Sequence, residues 1–333
     1  MNKAIKFSKH ILYLLLFILT CSCNSDDSPY PKIIFEKQAS LSGNGRSSAV
    51  AFAINGKGYV ALGRDSSGAS LKDCWQYDPE KNIWTEKAPF PDSARVKAIA
   101  AVVNGKAYVG LGFYQEKANG MDNGAGILKG FWMYDPETDS WTKKAYFPSK
   151  ATDACVSFVY EDNIYVGSGF DGLGFTKEFW KYNTLNDKWV RIKDFPGIYR
   201  LVAIACGDEK HIYFGTGFYN KNVNDWWEYT PSNDTWTQRK PMPDNGRSTA
   251  TALAINNRYF IATGRHIGGD LTGGHLKSDI MEYDANRDVW YERGNISTEN
   301  RENAISFTIN GKGYIGFGEN ETKVLNDFWS FEP

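Results

Sequence analysis

The chain has 333 residues, with 38 Lys and Arg against 39 Asp and Glu and a formal net charge of −1. That balance gives no electrostatic footing for nucleic acid or for an anionic membrane surface. Aromatic residues make up 15% and glycine occupies 32 positions, a pairing that suits many short strands joined by tight turns.

At the N-terminus Lys3, Lys6 and Lys9 precede the apolar run "ILYLLLFILT". A membrane span needs about twenty apolar residues, so this shorter run is expected to be a secretory signal. "LTCSCNSDD" resembles a bacterial lipoprotein cleavage site, with Cys23 after Ser22 as the expected lipidated residue and Cys21 as the alternative. The acidic residues that follow resemble surface-export signals of Gram-negative bacteria. The expected organisation is a signal peptide at 1–22, a linker at 23–32 and one folded domain at 33–333. The resemblance implies an outer-membrane lipoprotein at the cell surface, touching the membrane only through its lipid. A periplasm-facing orientation or ordinary secretion are the alternatives. Cys74, Cys155 and Cys206 remain, an odd number at unrelated spacings that matches neither a metal site nor a disulfide framework.

Beyond residue 33 the chain repeats. Tyr77 and Trp84, Tyr134 and Trp141, Tyr182 and Trp189, Tyr229 and Trp236, and Tyr283 and Trp290 share one spacing, and "DFWSFEP" ends the chain as a partial sixth copy. Two residues before each tyrosine stands Trp75, Trp132, Trp180, Trp227 or Met281. Upstream lie strand-like segments ending in small residues, such as "YVALG", "YVGLG" and "YFGTG", and upstream again alternating apolar runs. Each unit reads as four strands, a to d. "NGK" supplies tight a–b turns and "YDPEKNIW" a c–d turn. Repeated four-stranded units with an aromatic and glycine signature predict an all-β, six-bladed β-propeller. The sixth unit stops before its outer strand, and "IFEKQASL" is expected to supply that strand and close the ring.

"LKDCWQYDPEKNIW" resembles the kelch repeat, and the resemblance spans residues 33–333. It departs from the family where a glycine pair is replaced by Gly-x-Gly or Ala-x-Gly, as in Gly110–Gly112 and Ala61–Gly63. Ten of the eleven tryptophans occupy repeated positions and are expected to be core; only Trp226 is left over. The acids at the start of strand c (Asp73, Glu178, Asp225, Asp279 and Asp327) are expected to accept backbone hydrogen bonds from the b–c loop.

Nine residues before each a–b turn stand Arg46, Arg95, Arg200, Arg247 and Arg301, with Thr152 as the exception. Antiparallel order puts them on the b–c face, where they are expected to ring the mouth of the central channel. At an effective dielectric near 20 and ~8 Å apart, each pair would repel by about 2 kcal/mol. Such a ring needs neutralising by a bound anion or by Asp92, Asp153, Asp244, Glu302 and Glu319. Residues leaving strand b on that face are Arg64, Phe113, Phe170, Phe218, Arg265 and Glu319, and the inserts "FYQEKANGMDNGAGILKG" and "RHIGGDLTGGHLKSD" are expected to overhang it. Aromatics among arginines suit a sugar or an acidic ligand.

A kelch-type copper oxidase would need two histidines and two tyrosines. Of four histidines, His10 goes with the signal and His211 falls on the opposite face, leaving His266 and His275 in one insert without a fixed geometry. No metal, cofactor or nucleic acid is therefore expected. Sialate mutarotases, which resemble this chain as six-bladed kelch proteins, imply an enzymatic alternative with Glu319, Asp153, Glu302 or a tyrosine as proton donor. The leading expectation is a non-enzymatic lipoprotein binding a glycan or acidic ligand on the arginine-bearing face. A scaffold for protein partners and a mutarotase-like activity are the alternatives.

Overall fold

The computed structural model describes residues 28–42, 45–114, 126–150, 152–208, 210–268, 273–296 and 299–333. The segment expected to be a signal, Cys21, Cys23 and the middle of the first insert lie outside them.

Six four-stranded antiparallel sheets follow one another along the chain, with no helix among the described residues. Blade 1 consists of Val50–Ile54, Lys57–Ala61, Cys74–Asp78 and Ile83–Lys87. Blades 2 to 5 repeat this order, their innermost strands being Ile99–Val103, Val156–Tyr160, Ile204–Gly207 and Thr251–Ile255. Blade 6 takes Ile305–Ile309, Lys312–Gly316 and Phe328–Phe331 from the C-terminus, and Phe35–Gln38 holds its outer edge. The register there runs from Phe35 opposite Phe331 to Gln38 opposite Phe328. The innermost strands alternate in burial, large apolar residues turning into the blade stacks. Ala51, Ala100, Ser157, Ala205, Ala252 and Ser306 line a narrow channel of about 210 Å³.

The Tyr–Trp spacing is the joint between successive blades. Tyr134 Oη donates to Asp139 at 2.7 Å, Asp139 accepts the Ala88 N–H at 3.0 Å, and the Trp141 indole donates to the Ala88 carbonyl at 2.9 Å. Tyr182, Asp187 and Trp189 hold Ala145 in the same way, and Tyr283, Asp288 and Trp290 hold Lys240. In blade 1, Tyr77, Asn82 and Trp84 hold Ala39, which follows the N-terminal strand. Trp226, the tryptophan outside the repeat, is fully buried against Tyr213, Tyr283 and Trp290.

A second set of bonds joins the blades near the channel mouth. The second glycine of each Gly-x-Gly or Ala-x-Gly donates its N–H to the carbonyl of the residue at the arginine position of the next blade. The six bonds run from Gly63 to Arg95, Gly112 to Thr152, Gly169 to Arg200, Gly217 to Arg247, Gly264 to Arg301 and Gly318 to Arg46, at 2.8–3.2 Å. These glycines have φ between 82° and 100°, and a Cβ at Gly318 would lie 2.4 Å from the Glu302 carbonyl oxygen. Glycine is required there because it alone combines that conformation with that approach.

Candidate ligand-binding site at the channel mouth

Each repeated arginine is set by the residue before its innermost strand pairs, and its side chain turns into the blade. Arg46, Arg95, Arg200, Arg247 and Arg301 are at most 2% exposed. They do not ring the channel mouth as free cations. Arg46 makes a two-pronged contact with Asp73 at 3.0 and 2.6 Å, and Arg301 with Asp327 at 2.7 and 2.6 Å. Arg200 grips Asp225, and Arg247 holds both Asp279 and Asp244. Every one of the five also donates to the carbonyl sixteen residues on: Leu62, Leu111, Thr216, Thr263 or Phe317. These are the middle residues of the Gly-x-Gly turns, held at φ 54–63°. The guanidinium thus pins a strained turn and joins strand a to strand c, which is a structural task.

The strand-c acids accept from side chains here, where the sequence led us to expect loop backbone. Besides arginine, Asp73, Glu178, Asp225 and Asp327 each take the indole N–H of the tryptophan two residues on. Blade 2 has Gly130 at the acid position, and Asp92 fills the gap from another loop. A Cβ on Gly130 would lie 2.2 Å from an Asp92 carboxylate oxygen, which stands 2.9 Å from Arg95 and accepts from Trp132. Burial alone would raise the Asp92 carboxyl, but the Ser93 N–H, Arg95 and Trp132 outweigh it and hold it below its ordinary range. In blade 3, where Thr152 replaces arginine, Glu178 accepts from Ser149 at 2.7 Å.

The residues leaving strand b form the visible rim, bridged to the residues that follow the arginine positions: Ser47 with Arg64, Val96 with Phe113, Asp153 with Phe170, Leu201 with Phe218, Ser248 with Arg265 and Glu302 with Glu319. Over blades 5, 6 and 1 this rim is charged and internally paired. Arg64 meets Glu319 at 2.7 Å, and Ser47 and Asn303 donate to the same carboxylate. Burial would raise Glu319, but Arg64, Ser47 and Asn303 together hold it low. Arg265 binds Glu302 at 2.8 Å and Glu321 at 3.0 Å.

Over blades 2 to 4 the rim is aromatic. Phe170 meets Phe175 at 6.1 Å, Phe175 meets Tyr219 at 5.8 Å, and Tyr219 lies edge-on to Tyr199 at 4.7 Å. Phe113 and Phe218 are half-buried, while Leu173 and Tyr114 are exposed.

Two charged residues at this mouth stand apart from the paired ones. Lys97, in the left-handed conformation at φ 52°, is exposed and has no carboxylate within ion-pair distance among the described residues. Asp153 has one carboxyl oxygen buried without a hydrogen-bond partner. Burial pushes its carboxyl above the ordinary range, opposed by the charge of Lys97. The sequence named Asp153 as a possible arginine partner and as one of several possible proton donors, and missed Lys97. Its signal was available: Lys97 is the charged member of the position two after each arginine, beside Ser48, Ala154, Val202, Thr249 and Asn303. Cys155 stands on the channel wall, and burial pushes its thiol up to about 12, leaving it an inert thiol.

Residues 45–91 match the Kelch motif. No curated protein matches the chain, whereas 822 chains of solved structures match its fold, so the fold alone does not select a function. One of them, titled "Structure of YjhT", aligns with a TM-score of 0.72 at 18% identity, covering 87% of this chain and 95% of that one. The matched segment is blade 1 with its entry and exit; the other five blades repeat its strand order and glycine position, with Thr152 in place of the arginine in blade 3 and Phe331 in place of the tyrosine in blade 6. The chain is a six-bladed β-propeller whose first blade carries a Kelch motif.

Proposed function

We propose that the protein binds a carbohydrate or other acidic, hydroxyl-rich ligand at the channel mouth, as a lipoprotein anchored through Cys23 on the outer membrane. The observation that carries this reading is the aromatic half-rim of Phe170, Phe175 and Tyr219 beside Lys97 and Asp153. Aromatic faces take the apolar face of a sugar ring, an ammonium takes a carboxylate, and a carboxylate accepts hydroxyl donors. The five buried arginines support the site from behind and make no ligand contact; Arg64, Arg265 and Glu319 border it. A glycan array containing uronic and sialylated sugars, followed by calorimetry, tests the reading. Lys97→Ala and Tyr219→Ala are each expected to weaken binding at least about tenfold, or about 1.4 kcal/mol. Absence of binding to every sugar would sink it and leave a protein partner as the better account. Incorporation of labelled fatty acid, lost in Cys23→Ala and kept in Cys21→Ala, tests the anchor.

A second reading, mutarotation of a sugar, is favoured by Asp153. Of the acids that could serve, Glu319 and Glu302 are engaged by arginines, whereas Asp153 retains its proton more readily and has a buried oxygen without a hydrogen-bond partner. Such a group can donate to a ring oxygen and later recover the proton. Proton NMR of a freshly dissolved sugar ligand decides it: unchanged anomer exchange in the presence of protein excludes the activity.

A further inference from the structure

We propose that His266 and His275 form an open, two-histidine site for a divalent transition-metal ion such as zinc, beside the channel mouth. The inference is independent of the sugar reading. The sequence offered no fixed geometry for these residues, but the fold supplies one. Arg265–His266 and His275–Leu276 form a two-stranded ribbon in which the two histidines are direct cross-strand partners. Their ring centres are 5.2 Å apart with planes at 52°. Two imidazoles sharing one tetrahedral ion, with metal–nitrogen distances near 2.0–2.1 Å, place their ring centres about 5 Å apart.

The orientation of His266 is also fixed. Its Nδ1 lies 2.8 Å from the Gly246 carbonyl, which can only accept, so Nδ1 carries the proton and Nε2 keeps its lone pair. A backbone carbonyl behind the ligating ring is the usual support of a metal-bound histidine. The ribbon is tied to the neighbouring blade, because buried Asn222 receives the Ile267 N–H on its side chain and donates its own N–H to the Ile267 carbonyl at 3.2 Å. Gly274, at φ 73°, lets the return strand pass where a Cβ would come within 1.9 Å of the His266 carbonyl oxygen. His275 is exposed, so an ion here keeps positions for water or for an oxygen of a bound molecule. Imidazole-only ligation suits zinc, nickel or copper over calcium or magnesium.

The test is calorimetric titration of tag-free, chelator-treated protein with zinc chloride at pH 7.5. Saturable binding at one ion per chain is expected. It should weaken at least about tenfold in His266→Ala and in His275→Gln, and stay unchanged in His211→Ala, whose ring contacts Glu228 elsewhere. Near-ultraviolet circular dichroism of each variant separates loss of the site from loss of the fold. Absence of saturable binding, or binding indifferent to both ribbon substitutions in folded protein, overturns the proposal.

Discussion

Arginine at the head of an innermost strand is costly to bury and is found here five times, each with its own carboxylate. Arg247 is the most heavily paired, and its charged form is stabilised despite burial: desolvation works against it, and Asp279 and Asp244 outweigh that cost. Removing it strands two carboxylates and frees the carbonyl of Thr263, which is held at φ 61°. Arg247→Ala is therefore expected to lose about 3–5 kcal/mol in urea unfolding. Arg247→Lys should recover only part of that, since one ammonium cannot reproduce the planar fork. A loss below about 1 kcal/mol would refute the pinning role. The same logic explains the departure from the glycine pair. Non-glycine residues such as Leu62 and Phe317 sit at positive φ with fully buried side chains, so packing and the guanidinium bond together offset the backbone strain.

At the scale of the strand, the Tyr–Trp spacing was visible in the sequence, while the partner that makes it a joint was not. The residue five after each tyrosine is Asn82, Asp139, Asp187, Asp234 or Asp288, a regularity that reads as turn chemistry until the preceding blade is placed beside it. Asp139 accepts from both Tyr134 and the Ala88 N–H and has φ 49°. Asp139→Asn keeps an acceptor and tolerates that conformation, so it should cost about 1 kcal/mol. Asp139→Ala should cost about 3 kcal/mol, since it loses two hydrogen bonds to a charged group and puts a Cβ at positive φ. Asp139→Gly should fall between them because only the conformational part is relieved. Chemical unfolding that ranks alanine as milder than glycine would contradict the joint. The arginine site shows the other limit of legibility. Strand order gave the correct end of the strand for Arg46, but not whether its side chain turned toward the channel or toward Asp73, 27 residues away. Of the acids expected to neutralise the five arginines, Asp92 and Asp244 meet Arg95 and Arg247, Glu302 and Glu319 pair instead with Arg265 and Arg64 on the rim, and Asp153 has no arginine because blade 3 has Thr152.

Across the whole ring, these local choices neutralise Asp73, Asp92, Asp225, Asp244, Asp279, Asp327 and Glu319 within their own blades or by the next one. Burial would raise Asp244, Asp327 and Glu319, but their arginine and hydrogen-bond partners hold all three below the ordinary range. A depressed carboxyl contributes stability that is present above its unfolded pKa, near 4, and is lost as pH falls through the folded value. The fold should therefore weaken steeply below about pH 4. Asp153 has the opposite sign. Burial raises it against the charge of Lys97, so the folded state prefers its protonated form, and that preference is lost as pH rises through the folded pKa. At neutral pH its charge is a cost retained at the mouth, where a ligand donor or Lys97 can meet it. Asp153→Asn, which keeps the shape without the charge, should be more stable than the parent at pH 7, and the gap should close as pH approaches 4. Urea unfolding of both proteins from pH 4 to pH 7 measures it. A gap independent of pH, or a less stable asparagine variant at pH 7, would show that Asp153 is satisfied in the free protein and remove it from the ligand site.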